Sequence, residues 1–206
     1  GGYLTKFNHK TRQSRAVNVW PDNPLGAGAE AMKYRFNWNF PIQFSKHDSN
    51  KIFVGSNHLH ITTDEGQSWQ TISDDLTRND SSKLKSSGGP ITQDNTSVEY
   101  YGTLQAIGES PVSKNIIWTG SDDGLINLSR DNGKTWINTT TSNIPEWTLI
   151  NSIEPDPRDS AACFITATSY KSGDLHPYIY HTNDYGKHWK KRVKGIADDH
   201  FVPQTA

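Results

Sequence analysis

The chain has 206 residues, with 21 Lys and Arg against 22 Asp and Glu and a formal net charge of −1. That balance leaves no bulk field to draw it to nucleic acid or to an anionic membrane surface. No stretch reaches the roughly 18 apolar residues of a membrane span, and no signal peptide is visible.

Residues 1–20 predict a hairpin, in which Tyr3 to Phe7 alternates, Asn8 to Ser14 turns, and Ala16 to Trp20 alternates back. Residues 21–33, with Pro21, Pro24, Gly26 and Gly28, predict a loop with a short helical turn at 29–32. A four-strand unit then recurs. Strands are expected near 38–44, 51–55, 58–63 and 69–73, and, after a polar connection over 74–100, near 103–108, 115–120, 124–129 and 135–139. A third set falls near 148–153, 162–168, 177–182 and 188–193, with residues 170–174 inserted in its middle hairpin. These runs are rich in β-branched and aromatic residues and bounded by Gly, Asn and Asp, as strands are. Cys163 is the sole cysteine, so no disulfide forms within the chain, and its apolar surroundings predict a buried, inert thiol.

One eight-residue stretch sits between the third and fourth strands of every unit. It reads Thr62-Thr63-Asp64-Glu65-Gly66-Gln67-Ser68-Trp69, then Ser129-Arg130-Asp131-Asn132-Gly133-Lys134-Thr135-Trp136, then Thr182-Asn183-Asp184-Tyr185-Gly186-Lys187-His188-Trp189. An Asp at such a turn accepts backbone N–H groups, and Gly supplies a positive φ. The hydroxyl ties the turn to its strand, and the Trp buries a ring beside it. Thr62, Asp64, Gly66 and Trp69, with their counterparts Ser129, Asp131, Gly133 and Trp136 and Thr182, Asp184, Gly186 and Trp189, therefore read as structural. Repeats at this period indicate an array or propeller of units.

The pattern resembles the Asp-box, or bacterial neuraminidase repeat, whose carriers include sialidases, xyloglucanases and sortilin-like receptors. The resemblance implies an all-β fold, a β-propeller of four-stranded antiparallel blades with Asp-box turns. Blades are expected at 34–73, 101–139 and 147–193. Residues 1–20 would end a preceding blade, 74–100 form a long loop, and 200–206 start a further blade. Propellers typically close with about 4–8 blades, so three and two partial ones predict a fragment completed by the same longer chain or another subunit. Tyr34-Arg35-Phe36-Asn37-Trp38, Ser73 to Asp80, Gly88 to Asp94 and Trp118 to Leu125 are similar to bacterial sortilin-like (vacuolar protein sorting receptor-type) propeller proteins. That similarity implies a secreted or cell-surface protein that binds peptides or proteins.

Candidate binding residues come from the inner face and the first long loop. Arg35, Asn37, Trp38 and Asn39 lie at or just before an inner strand, where they could hold a peptide or sugar by hydrogen bonds and stacking. The competing reading has Trp38 packed between blades and Arg35 paired with a carboxylate. Asp75 and Arg78 lie in a loop whose acids could take Ca²⁺ or cap the loop itself. Asp122-Asp123-Gly124 reads as a tight turn. His58 with His60, and His181 with His188, are pairs without a third ligand at a metal spacing. No metal and no cofactor are expected. The functional expectation is an extracytoplasmic binding or scaffold module for a protein, peptide or glycan ligand, with no nucleic acid and no membrane span. The alternative is part of a glycoside hydrolase of xyloglucanase or sialidase type, and a third reading is a purely structural piece of a larger assembly. A carboxylate pair on inner strands would favour the enzyme, an aromatic and amide-lined tunnel without such a pair the binder, and a dry, fully packed channel the structural role.

Overall fold

The computed structural model describes residues 2–23, 25–88, 95–96 and 99–203. The Gly89 to Asp94 part of the sortilin-like similarity lies outside them, as does the end of the tail. The chain opens with a two-stranded hairpin, β1 (Thr5–Asn8) and β2 (Gln13–Ala16). Three antiparallel four-stranded sheets follow, each laid out in sequence order. The first holds β3 (Ile42–Phe44), β4 (Ile52–Gly55), β5 (Leu59–Thr62) and β6 (Gln70–Thr71). The second holds β7 (Leu104–Glu109), β8 (Ile117–Ser121), β9 (Ile126–Ser129) and β10 (Ile137–Asn138). The third holds β11 (Leu149–Pro155), β12 (Cys163–Ser169), β13 (Asp174–Thr182) and β14 (Lys190–Lys191).

Several strands are shorter than the sequence predicts. β3 starts at Ile42 because Pro41 has no N–H to pair; its carbonyl instead accepts Gly55 N–H at 3.0 Å. The fourth strands keep two paired residues each, because the Trp ahead of each one turns toward the neighbouring sheet. No strand follows β14 among the described residues; residues 200–203 are irregular, and Phe201 stacks on Tyr170.

The sheets pack face to face through their inner strands, β7 against β3 and β4 on one side and against β11 on the other. One apolar cluster joins Phe53, Leu59, Leu104 and Ile117 across the first two sheets. A larger one joins Trp118, Ile126, Ile150, Ile165 and Tyr180 across the second and third. Cys163 is buried in this second cluster, and burial pushes its thiol well up.

Each repeat does two jobs. Within its own turn, Thr62 Oγ1 accepts Gly66 N–H at 2.9 Å and donates to Asp64 Oδ1 at 2.8 Å. Asp64 also takes Ser68 N–H at 2.9 Å and Ser68 Oγ–H at 2.6 Å. The Ser68 hydroxyl above all holds the Asp64 carboxyl down at about 2. The Asp131 and Asp184 turns repeat these bonds with Thr135 and His188.

The second job lies across the sheet boundary. Trp69 Nε1 donates to Val17 O at 3.1 Å, Trp136 Nε1 to Ile72 O at 3.1 Å and Trp189 Nε1 to Thr139 O at 2.8 Å. Each acceptor follows the last strand of the preceding unit. The turn glycine presses on the same residue. A Cβ at Gly66 would lie 2.7 Å from Val17 Cβ, one at Gly133 2.7 Å from Ile72 Cδ1, and one at Gly186 2.7 Å from Thr139 Cβ. The sequence reads the repeat as a staple within one hairpin; in the folded chain it is also the clasp between neighbouring units.

Candidate functional site

Antiparallel order divides the connections between two ends. The repeats share one end with the first-to-second strand loops. The other end carries the long segments that enter each inner strand, together with the second-to-third strand turns. Each long segment brings an aromatic residue just ahead of its inner strand: Trp38 before Ile42, Tyr101 before Leu104 and Trp147 before Leu149. Trp38 is 64% exposed and its Nε1 donates to Glu99 Oε1 at 3.4 Å, so it does not pack between sheets. Asn37 donates to Tyr100 O at 3.1 Å, and Asn39 is exposed.

Tyr101 and Trp147 stack, with ring centroids 5.6 Å apart and planes 26° from parallel. The Arg78 guanidinium lies 5.0 Å over the Trp147 ring and Lys83 Nζ lies 5.8 Å from it. Trp147 has φ of 62°, in the left-handed region that a bulky side chain seldom occupies. Such strain persists where the surroundings over-determine it, and it gathers at ligand-binding positions. A notch of about 110 Å³ beside the pair is lined by Tyr101, Trp147, Asp122, Tyr170 and Lys171.

Beneath this aromatic shelf lies a polar joint between the first two units. Arg35, expected to face a ligand, is 5% exposed. It donates to Asp75 Oδ2 at 2.7 Å, Thr77 Oγ1 at 3.1 Å and Gly102 O at 3.0 Å. Its carboxylate pairing is thus the alternative weighed for it. Asp75 also accepts Asn57 Nδ2–H at 2.8 Å and Thr77 Oγ1–H at 2.6 Å. Burial pulls the Asp75 carboxyl upward, but these donors and Arg35 outweigh it and hold it below the ordinary range. The loop from Asp74 does cap itself, Thr77 N–H bonding Asp75 Oδ1 at 3.0 Å and Ser82 N–H bonding Asp80 Oδ1 at 2.9 Å, but it is not wholly at the surface: Leu76 and Thr77 are buried. Arg78 N–H and Nε–H reach Asp123 Oδ2 and O at 2.8 and 2.7 Å.

Asp122 and Asp123 occupy the expected turn, yet both carboxylates point inward. Asp122 accepts Gly102 N–H, Thr103 N–H and Thr103 Oγ1–H at 2.8–2.9 Å. Burial still pushes its carboxyl up to about 7, against those donors. The sequence singled out neither acid as a joint residue, nor Tyr101 and Trp147 as a pair. The available signal was the aromatic recurring a few residues ahead of every inner strand.

The inner-strand acids are Glu109 and Glu154. Glu109 is spent at the repeat end, taking Ser45 Oγ–H at 3.0 Å and Lys46 N–H. Glu154 is exposed on β11. Among the described residues, no three His, Cys, Asp or Glu side chains gather as a metal site. His60 is fully buried between Ser56 Oγ at 2.8 Å and Thr71 Oγ1 at 3.0 Å, and His58 Nδ1 meets Ser73 O at 3.1 Å. His181 pairs with Lys190 across the hairpin, whereas His188 bonds Asp184, so these two do not face each other.

Comparison with solved structures decides the architecture. The chain aligns with an ancestral GH74 enzyme at a TM-score of 0.51 and 14% identity, over 78% of this chain and 19% of that one. It aligns with the GH74 xyloglucanase from Xanthomonas campestris at 0.52 and 12% identity, over 80% and 22%. The chain is part of a β-propeller. Its sheets are blades, and it spans about a fifth of the length of either GH74 protein. A structure described as YCF48 bound to D1 peptide aligns at 0.45 and 16% identity, over 86% of this chain and 45% of that one. No family model matches the chain, and no curated protein matches it. No helix is long and apolar enough to cross a membrane among the described residues.

Burial also fixes a pH signature. Desolvation first, then His58 and Lys33, lower the His60 pKa to about 3. A depressed histidine contributes stability above its unfolded value of 6.5. That contribution is lost as pH falls toward 3, roughly 2 kcal/mol by pH 5. Asp122, raised from 3.8 to about 7, works oppositely, gaining stability as pH falls through 7. The wild-type curve is therefore flattened between pH 4 and 7. Unfolding free energies of wild type and His60→Gln across that range separate the two. The difference is expected to grow in favour of wild type with rising pH, and a flat difference contradicts the buried neutral ring.

Proposed function

We propose that this propeller is an extracytoplasmic, sortilin-like Asp-box module, secreted or at the cell surface, that binds a protein, peptide or glycan ligand at its long-connection end. The observation that carries this reading is the Tyr101–Trp147 stack, with Trp147 at φ 62° and Arg78 over its ring. A flat aromatic surface with a cation beside it suits the faces of sugar rings and the side chains of an extended peptide. Trp38, Asn37 and Asn39 extend that surface toward the first blade. Arg35, Asp75 and the backbone of Arg78 support it from below. The alternative, part of a glycoside hydrolase, draws on Asp122, whose raised carboxyl lines the notch beside the shelf. Both Asp122 oxygens are taken by Gly102 and Thr103, which favours the binder.

The test is titration of the native protein and of Trp147→Ala against panels of soluble oligosaccharides and extended peptides. Binding by the native protein is expected to weaken at least about tenfold in Trp147→Ala, the scale of an anchor residue. Undiminished binding in that variant, or hydrolysis of an oligosaccharide that stops in Asp122→Asn, overturns the reading.

A further inference from the structure

The outer strand of each blade follows its repeat, so residues 67–74, 134–141 and 187–194 occupy equivalent places. They differ in charge. The first run has no Lys or Arg and one acid, Asp74, and the second has one cation, Lys134. The third has five, Lys187, Lys190, Lys191, Arg192 and Lys194, and no acid. In a chain of net charge −1, that is a strong local excess. All five residues are exposed, and among the described residues none of them is in an ion pair.

The place is exposed in an intact array as well. Gln67, Ser68, Gln70 and Thr71 are exposed with the second blade packed alongside, as are Lys134, Thr135, Ile137 and Asn138 beside the third. Lys187, Lys190 and Lys191 occupy the same positions and so face solvent whichever blade stands next to them. Lys190 pairs with His181 and Lys191 with Tyr180, so their side chains leave opposite faces of the sheet and straddle its edge. Burial, and next the Arg192 charge, hold His181 below the ordinary histidine range, a mark of the positive field at this edge. Lysines on an edge strand can serve to keep molecules from pairing edge to edge. That purpose does not explain five cations, because β6 and β10 are edges of the same kind and carry none.

We propose that the outer rim of the third blade is a docking surface for an acidic polysaccharide, a linear glycan with a carboxylate or sulfate on successive sugars. The partner follows from what accompanies the cations. No exposed apolar side chain is interleaved with them: Trp189 is 8% exposed and Val193 half-buried. That disfavours insertion into a membrane interface and stacking on single-stranded bases. β14 has two paired residues, too short an edge for an added peptide strand. A nucleic-acid duplex calls for a basic face broader than one strand. A row of charges read by a row of charges remains. The rim is the opposite edge of the third sheet from β11, so this site is separate from the aromatic shelf.

The test is titration of the chain against oligomers of polygalacturonate and of chondroitin sulfate and an uncharged glucan of matching length, with a DNA duplex and phosphatidylserine vesicles alongside. The acidic glycans are expected to bind, more weakly as salt rises, and the uncharged glucan not to compete. A Lys187→Gln, Lys190→Gln, Lys191→Gln variant should lose at least about tenfold in affinity. The control Lys10→Gln, Lys46→Gln, Lys114→Gln removes the same charge from other exposed positions and should stay within about twofold of wild type. Urea midpoints of both variants should match wild type, since every changed side chain is exposed. Equal losses in the two variants overturn the inference, because net charge alone would then account for binding. So does the absence of binding to either acidic glycan, or tighter binding to the duplex or the vesicles. Loss in Trp147→Ala in place of the rim variant overturns it too, by putting the acidic glycan on the shelf.

Discussion

Asp75→Ala is expected to cost about 3–5 kcal/mol of unfolding free energy, the range seen when one partner of a buried ion pair is removed. The physical reason is the charge left behind. Arg35 sits 5% exposed, and without Asp75 its guanidinium keeps only Thr77 Oγ1 and Gly102 O. The reverse change is milder. Arg35→Met leaves Asp75 with Asn57 Nδ2, Thr77 N and Thr77 Oγ1, three donors that still satisfy the carboxylate. It also places an apolar chain of similar reach in the buried space. Urea midpoints should therefore rank wild type above Arg35→Met and Arg35→Met above Asp75→Ala. The joint spans the first blade, the long connection and the second blade, so its loss loosens the base of the aromatic shelf as well as the fold. Equal costs for the two variants would mean that the pair acts through packing alone.

The second large effect is expected at a repeat glycine. Gly133 has φ of 87°, and a Cβ there would stand 2.7 Å from Ile72 Cδ1. An L side chain in the left-handed region costs about 1–2 kcal/mol. Overpacking against the Ile72 side chain, whose terminal methyl must move aside, adds about 1–3 kcal/mol. Gly133→Ala should thus lose about 2–5 kcal/mol, more than a turn glycine with open space would. Gly173 is such a glycine: its φ is 79°, and nothing stands within 4 Å of its Cβ position.

These two sites show what the sequence makes legible and what it does not. Strand runs, turn residues and the thrice-repeated pattern are local, and they led to an all-β propeller with blades in chain order. The clasp was not legible because its acceptors are backbone carbonyls 50 to 64 residues away, and any residue supplies a carbonyl. Arg35 reads equally well as a ligand-facing or a buried cation until Asp75, 40 residues on, is seen against it. Asp122-Asp123-Gly124 carries a correct turn signal that says nothing about where its carboxylates point. Trp147 and Tyr101 sit at strand entries, where an aromatic is ordinary core material. Their stacking needs two long connections to end side by side, which no spacing reveals.

The clasp is the claim on which the arrangement of blades depends, and a double-mutant cycle between Gly133→Ala and Ile72→Ala tests it most directly. Ile72→Ala removes Cδ1 and Cγ1, the atoms that an added Cβ would strike, and leaves Ile72 Cβ at 3.4 Å. If the repeat locks each blade to the one before it, the double variant should be more stable than the sum of the single losses by at least about 1 kcal/mol, the coupling expected of residues in contact. Strictly additive losses would mean that the Gly133 turn serves its own hairpin alone, contradicting the clasp.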